Sequence, residues 1–243
     1  SRTSGAMLTV DFEYFDLAPG QVCVDLGCGE GRHSLTAYLQ DDVSVVGVDL
    51  SLDDLKTAQS RIADMTPHAP QGAVDFVQAN GMSLPLADHS VDRLICSEVL
   101  EHIPNYLSFL EEIDRVLKPD GRLCISVPRQ WPEWICWMLC DDYRRTPGGH
   151  IRIFNACHLR REVERYGFQG TRQHGAHALH VPYWWLKCLF WHVTEEPKIL
   201  SLYHRFLVWD LMKRPWLTKT LDALFNPWMG KSVVLYFDRA QNR

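Results

Sequence analysis

The residues of this chain with the type and spacing to do chemistry fall in three short stretches. The first, Val22 to Gly31, reads V-C-V-D-L-G-C-G-E-G; its glycines Gly27, Gly29 and Gly31 let a turn take positive φ and let a ligand lie against the main chain. The free N–H groups of a helix that follows such a turn point into the crevice, which makes it a nucleotide pocket. Asp25, two residues before the first glycine, is placed at the mouth of that pocket and favours a ligand carrying a positive group. Asp49, with Leu50 beside it, falls where an acidic residue takes a ribose diol. The second stretch, Ser97-Glu98-Val99-Leu100-Glu101-His102, sets His102 four residues past Glu98, so the two share a face if a helix has begun there. His102 then either lines an acceptor pocket or packs at the helix start. The third, Pro147-Gly148-Gly149-His150-Ile151-Arg152, holds a histidine after two glycines. Imidazole titrates near pH ~6.5, so His150 is the leading candidate for a general base; the other reading is that His150 and Arg152 pin the loop through backbone carbonyls.

The elements that must position these groups can be read from the apolar periodicity. Val22, Val24 and Leu26 alternate as a strand, and Arg32 to Leu39 reads as a helix. Val43 to Val48 is a second strand, closed by Asp49; Leu52 to Met65 is a helix with Ser51 as its N-cap, ended by Pro67 and Pro70. Val74 to Gln78 is a third strand, with Asn80-Gly81-Met82 at its carboxyl edge, the side on which doubly wound sheets bind ligands. Val91 to Cys96 is a fourth. Tyr106 to Leu117 is an amphipathic helix stopped by Lys118-Pro119-Asp120-Gly121, and Arg122 to Val127 a fifth strand closed by Pro128. Asn155 caps a helix to Tyr166, Phe168 to Gln173 is a sixth strand and Lys231 to Phe237 the last. The expected fold is α/β: a doubly wound, mostly parallel, seven-stranded Rossmann-like sheet, with a helical, tryptophan-rich insertion before the last strand. Residues 7–243 are expected to form one domain, with 129–154 as an acceptor loop and 175–230 as a helical lid; Ser1 to Ala6 read as the remnant of a tag.

The segments D-L-G-C-G-E-G, V-V-G-V-D, L-P-L and S-E-V-L-E-H, in that order, resemble the class I S-adenosylmethionine-dependent methyltransferases of the type 11 group, over roughly Val10 to Pro128. The resemblance implies S-adenosyl-L-methionine as cofactor and S-adenosylhomocysteine as product, with an antiparallel last strand. It places Ser97 and Glu98 beneath the methionine part of the cofactor. Asn80 stands where that family usually carries an aspartate bonded to the adenine amino group, and an amide oxygen still accepts that bond; the next backbone N–H groups, at Gly81 and Met82, reach the ring. G-H-I-R-x-F matches a segment that recurs near the acceptor in this group. The segments H-A-L-H-x-P-Y-W-W-L-K-C, Y-H-R-F-L-V-W-D-L-M-K-R-P-W-L-T and N-P-W-M-G-K-S-V-V-L-Y are similar to a narrower, mycobacterial group, the sugar 1-O-methyltransferases of methylmannose polysaccharide synthesis. That similarity implies the anomeric 1-hydroxyl of a short 3-O-methylated mannoside as acceptor.

Composition bounds the rest. With 243 residues, 46% of them hydrophobic, the chain can bury one good core. A net charge of -5 argues against a nucleic-acid track, which would want a surplus of Lys and Arg. The expected acceptor is a small neutral oligosaccharide. Eight cysteines without C-x-x-C spacing, mostly in apolar runs, fit reduced thiols and a cytoplasmic protein; no secretory leader precedes Met7, and no stretch suits a bilayer crossing. All nine tryptophans lie at or beyond Trp131, outside the part that binds cofactor. Flat indole faces suit sugar rings or prenyl chains, so Trp131, Trp134, Tyr143, Arg152, His177 and Trp184 are the acceptor-contact candidates. His174-x-x-His177-x-x-His180 has a spacing a metal can use, but no nearby Cys or carboxylate completes a set. No metal site is expected, a magnesium ion at Glu98, Asp141 or Asp142 being left open. Arg205, Lys213, Arg214 and Lys219 interleave with Phe206, Trp209, Leu211 and Trp216, which reads as a helix with one buried and one solvated face, so membrane contact is not expected. A homodimer is left open. The alternatives are methylation of a prenyl or quinone-like lipid, and a non-catalytic nucleotide-binding protein.

Overall fold

The computed structural model describes residues 8–40, 42–63, 72–146, 148–213 and 215–240. Seven strands form one sheet: β1 (Val22–Leu26), β2 (Ser44–Asp49), β3 (Ala73–Gln78), β4 (Val91–Ser97), β5 (Leu117–Pro128), β6 (Phe168–Ala176) and β7 (Ser232–Arg239). Their order is β3-β2-β1-β4-β5-β7-β6, with β7 antiparallel to both neighbours and the remaining pairs parallel. The sheet sorts side chains by the two-residue period of a strand. Val24, Leu94, Cys96, Leu123, Ile125, Val233, Leu235 and Phe237 face one apolar layer, and Cys23, Ile95, Cys124, Val234 and Tyr236 face the other. A strand buried on both faces reads as a continuous apolar run, as V-C-V-D-L and V-V-L-Y-F do.

Helices cover both faces. α1 (Phe12–Phe15) and α2 (Arg32–Tyr38) lie on the side of Tyr236; α4 (Tyr106–Val116) and α7 (Ala156–Glu164) pack Phe109, Leu110, Ile113, Leu159 and Val163 on the other. Between them in the chain comes α3 (Leu52–Ala63), where Ser51 Oγ accepts the Asp54 N–H at 3.3 Å and Asp53 and Asp54 sit at the positive end of the helix dipole. Its expected end at Met65, Pro67 and Pro70 falls outside the described residues. Asn155 caps α7 as expected, accepting the His158 N–H at 3.1 Å.

Several boundaries differ from the sequence reading. Lys118-Pro119-Asp120-Gly121 is not a stop before the fifth strand but part of it: β5 pairs Leu117 with Val91, then shifts register before Arg122 pairs with Arg93. Residues 129–154, expected as a loop, are largely helical, in α5 (Gln130–Leu139) and α6 (Asp141–Arg145). Pro132 sits in the first turn of α5, where a missing N–H costs nothing, and Glu133 lies at the favourable end of its dipole. Between β6 and β7 the chain is helical: a 3-10 turn at Ala178–His180, then α8 (Val181–Leu189), α9 (Lys198–Lys213) and α10 (Trp216–Met229). Cys136 and Cys140 from α5 meet Cys188 of α8, with Tyr143, Trp184, Trp185 and Trp191 packed around them. This small second core sits beside the carboxyl end of β5.

Asp25 does not stand at the mouth of a pocket. It is 1% exposed, and its Oδ2 accepts the Ser34 N–H at 2.9 Å and the Ser34 hydroxyl at 2.6 Å, tying β1 to the first turn of α2. Burial raises its pKa to about 6, with the Ser34 hydrogen bonds opposing. An acid whose pKa is raised by folding binds a proton more tightly in the native state, so ionising Asp25 costs the fold above pH 6. That cost is relieved as pH falls through 6 towards the unfolded value. In urea unfolding at pH 7 and pH 5, the native protein should therefore gain about 1 kcal/mol on Asp25→Asn at the lower pH, from ~1.36 kcal/mol for each pH unit in that window. A difference that does not change with pH would show that the carboxyl ionises as freely in the fold as outside it.

Candidate active site

A cleft of about 430 Å³ opens at the carboxyl edge of the sheet, lined by the glycine turn, the ends of β2 and β3, and the segment from Glu98 to Phe109. Its floor needs glycine at two points. Gly27 has φ +76, and a Cβ there would stand 2.3 Å from Val99 Cγ2; its N–H and that of Cys28 both donate to the Val48 carbonyl, at 2.7 and 3.0 Å. A Cβ on Gly81 would meet the Phe109 ring at 2.2 Å. Gly29, at φ +50, faces open space, whereas Gly31, at φ +78, is the N-cap of α2 and packs against Ala58 and Phe76. The three glycines thus divide the work: one shapes the floor, one bares the backbone, one seats the helix.

Asp49 ties the glycine turn to the start of α3. Its Oδ2 accepts the Gly29 N–H at 2.8 Å and its Oδ1 the Ser51 N–H at 2.9 Å, and each oxygen keeps a lone pair for a ligand hydroxyl. Leu50 and Met82 on the cleft wall are 64% and 42% exposed, an apolar pair suited to the faces of a flat ring. Asn80 also lines the cleft, but its Oδ1 already accepts the Met82 N–H at 3.0 Å, so it closes a turn before it meets any ligand. Ser97 is buried off the cleft, its hydroxyl 2.8 Å from that of Ser126; Ser126 donates in turn to Glu98 Oε1 at 3.0 Å. The sheet continues one residue further than expected, which turns Ser97 inward. Of the two, Glu98 lines the cleft.

Glu98 and His102 both line the cleft, yet not as one face of a helix. Glu98 has φ +57, and the chain makes only a 3-10 turn at Leu100–His102, so the α-helical spacing does not apply. What the turn does is bring His102 to His150, with ring centroids 5.1 Å apart. His102 Nδ1 lies 3.2 Å from the Gly149 carbonyl, and the Ile151 N–H donates to the Glu101 carbonyl at 3.0 Å, so residues 149–151 are fastened to the end of β4. His150 Nδ1 lies 2.6 Å from Glu133 Oε1. Glu133, 5% exposed, also accepts the indole N–H of Trp137 at 3.2 Å and the hydroxyl of Tyr143 at 3.4 Å. Glu101 is fully buried, with neither carboxylate oxygen hydrogen-bonded and Oε1 3.9 Å from His102 Nε2. Burial, then the charge of Glu98, holds its carboxyl well above the ordinary range; burial and His150 push the His102 imidazole down.

The other candidates spread around this cluster. Trp184 lies 6.0 Å from Tyr143 by ring centroids, with Lys187 and Lys231 over its face at 4.7 and 5.2 Å. Trp131 donates its N–H to the Trp228 carbonyl at 2.9 Å, and Trp134 is exposed on the same helix. Arg152 is not aimed at an acceptor: its guanidinium lies 4.7 Å from the Tyr106 ring and donates to the Pro104 carbonyl at 2.6 Å, fixing the cleft wall from behind. His177 has φ +63 and is driven down to about 3 by burial and by His180. The three spaced histidines share no face, since His174 is in β6, His177 is left-handed and His180 is in the 3-10 turn. Asp141 is taken by Arg144 and Arg145, and Asp142 faces His192 at 3.7 Å. Glu101, Glu133 and Lys231 were not singled out by the sequence reading. Glu133 carried a signal, as the one carboxylate inside the tryptophan run of α5. Gly27→Ala should weaken S-adenosylhomocysteine binding at least tenfold in calorimetry, because a methyl at 2.3 Å from Val99 cannot be seated without moving the floor; unchanged affinity would show that the turn is not the nucleotide site.

Comparison with known proteins agrees with this geometry. Residues 24–125 match the family described as "Methyltransferase domain". The O-methyltransferase rstn1 of Aspergillus nomiae is 36% identical over 107 residues, 44% of this chain and 46% of that protein. A protein of Mycolicibacterium smegmatis named "Probable S-adenosylmethionine-dependent methyltransferase" is 32% identical over 152 residues, 62% of this chain and 52% of that one. The chain therefore spans about half the length of these relatives. Geranyl diphosphate methyltransferase, solved in complex with S-adenosylmethionine, shares the fold with a TM-score of 0.61 at 14% identity, over 92% of this chain and 80% of that one. Over residues 24–125 the chain carries the sequence pattern of a methyltransferase domain, set in a seven-stranded mixed sheet of the class I methyltransferase fold.

Proposed function

We propose that this protein is an S-adenosylmethionine-dependent O-methyltransferase whose acceptor is a hydroxyl of a small neutral sugar, the anomeric 1-hydroxyl of a short 3-O-methylated mannoside. The observation that carries the reading is the Glu133–His150 pair beside His102, a residue of the cleft wall. The mannoside is supported by the similarity of the segments around Trp184, Trp209 and Trp228 to the sugar 1-O-methyltransferase group, and by tryptophans set next to the polar cluster.

The cleft fits the cofactor: Asp49 keeps lone pairs for ribose hydroxyls, and Leu50 and Met82 flank space for a planar base. When bound, the cofactor supplies an electrophilic methyl on a sulfonium sulfur. The protein's own task is to align an oxygen and take its proton. A carboxylate acceptor at Nδ1 fixes the proton of neutral His150 on that nitrogen, which leaves the Nε2 lone pair as the base. Glu133 keeps the ring in this tautomer and stabilises the charge that proton uptake creates. An anomeric hydroxyl is a more acidic alcohol than others on a sugar, so a single imidazole suffices. Tyr143 packs edge-on against the His150 ring, with Trp184 behind it, and shields the base from water.

A second reading, methylation of a prenyl or quinone-like lipid, is favoured by the apolar surface of α9 and α10. Trp209, Met212, Trp216, Leu224 and Trp228 are exposed there, next to Lys213 and Lys219, although no helix among the described residues is long and apolar enough to cross a membrane. Co-sedimentation with liposomes separates the two. His150→Ala should lower kcat by a factor of about 10² to 10⁴ while S-adenosylhomocysteine affinity stays within about threefold. Glu133→Gln should give a smaller loss, with the pH profile displaced. Methylation of a panel of mannosides and glucosides, read by mass spectrometry as the gain of one methyl, checks the acceptor; near-normal turnover in His150→Ala removes that residue from the base role.

A further inference from the structure

We propose that Glu101, His102 and His150 form a binding site for one divalent transition-metal cation, of the class of Zn²⁺ or Mn²⁺, next to the cofactor cleft. One donor atom from each of the three lies within 4.8 Å of the other two. Each donor is already turned the right way. A carbonyl oxygen accepts only from an N–H, so the contact of His102 Nδ1 with the Gly149 carbonyl leaves the His102 lone pair on Nε2. The contact of His150 Nδ1 with Glu133 has the same consequence for His150. Imidazoles whose other nitrogen is held by a carbonyl or a carboxylate are the usual state of metal-bound histidine.

Glu101 completes the set. It is 0% exposed, and neither of its oxygens has a hydrogen-bond partner. Among the described residues, two imidazole lone pairs and a buried carboxyl with no hydrogen-bond partner therefore converge, an arrangement that a cation at its centre would satisfy by displacing the carboxyl proton. Two nitrogens and one oxygen suit zinc, manganese or ferrous iron better than magnesium or calcium, which prefer all-oxygen sets. Three protein ligands leave further positions for an oxygen, from water or from an acceptor hydroxyl. Sequence spacing did not reveal the site because Glu101 and His102 are adjacent in the chain and His150 arrives through the Gly149 carbonyl.

Ion binding is independent of the acceptor proposed above, but it bears on the base, since an ion and a proton compete for the same Nε2 of His150. The experiment is calorimetric titration of chelator-treated protein with Zn²⁺ and, separately, Mn²⁺, for the unaltered chain and for Glu101→Gln, His102→Ala and Glu133→Gln. Circular dichroism and S-adenosylhomocysteine binding verify that each variant is folded. The expected result is one equivalent of ion with a micromolar or tighter Kd, at least 100-fold weaker in the first two variants and about 10- to 100-fold weaker in Glu133→Gln, which supports a ligand without being one. A rise in the thermal midpoint of the unaltered protein on adding the ion, reversed by chelator, gives a reading that needs no variant. Absence of a bound equivalent, or equal affinity in Glu101→Gln, overturns the cation site. If that happens while His150→Ala still abolishes turnover, the base reading stands and only the cation falls.

Discussion

A carboxylate buried among aromatic rings has to be met by donors, and the structure around the polar cluster is largely the answer to that requirement at Glu133. Isolated burial of such a charge costs far more than a domain can spare. Here His150, Trp137 and Tyr143 converge on the two oxygens of Glu133. The three donors come from different places, the segment after α6, α5 itself and α6, so one buried charge gathers three pieces of chain that have little else in common. It helps hold His150 beside the 3-10 turn at Leu100–His102. It also fixes the tautomer of His150, leaving the ring's lone pair on Nε2.

The sheet supplies the other half of the site by a different principle. Parallel strands end at one edge, and whatever follows β1, β2, β3, β4 and β5 is delivered there together. Asp49 is three residues before the start of α3 yet bonds the Gly29 backbone in the preceding turn. Asp25, only a few residues from that turn, is directed inward to Ser34. The two aspartates look alike in sequence, each at a strand end. They differ because Asp25 sits within β1, where a side chain must point to one face or the other, while Asp49 is the last residue of β2 and can fold over the edge.

That contrast marks what was legible in the chain before its structure was known. Alternating apolar runs gave the strands and the order of elements, and the glycine spacing gave the turn, because both are set by local stereochemistry. The antiparallel last strand and the helical stretch between Gly175 and Gly230 came from resemblance and composition, and the structure has both. What failed to show was direction. Ser97 and Asp25 turn inward, Arg152 lies across Tyr106, and Glu98 takes a left-handed conformation that breaks the assumed helical face. Glu101 and Glu133 were passed over for the same reason: an acidic residue beside apolar ones reads as a solvated face until the fold shows it buried.

The charge distribution of the cluster also bears on what it can accept. Glu98, Glu101 and Glu133 act on one another, and Lys231 acts against them from the first position after Gly230. Arg32, behind the glycine turn, is drawn to Glu98 and Asp25. An acceptor carrying phosphate or carboxylate would bring a further negative charge beside Glu98 and Glu133, at an effective dielectric where each unit charge a few ångströms away matters. A neutral polyol meets no such penalty. Glu98 and Glu133 together thus make the site better suited to an uncharged ligand than to an anionic one.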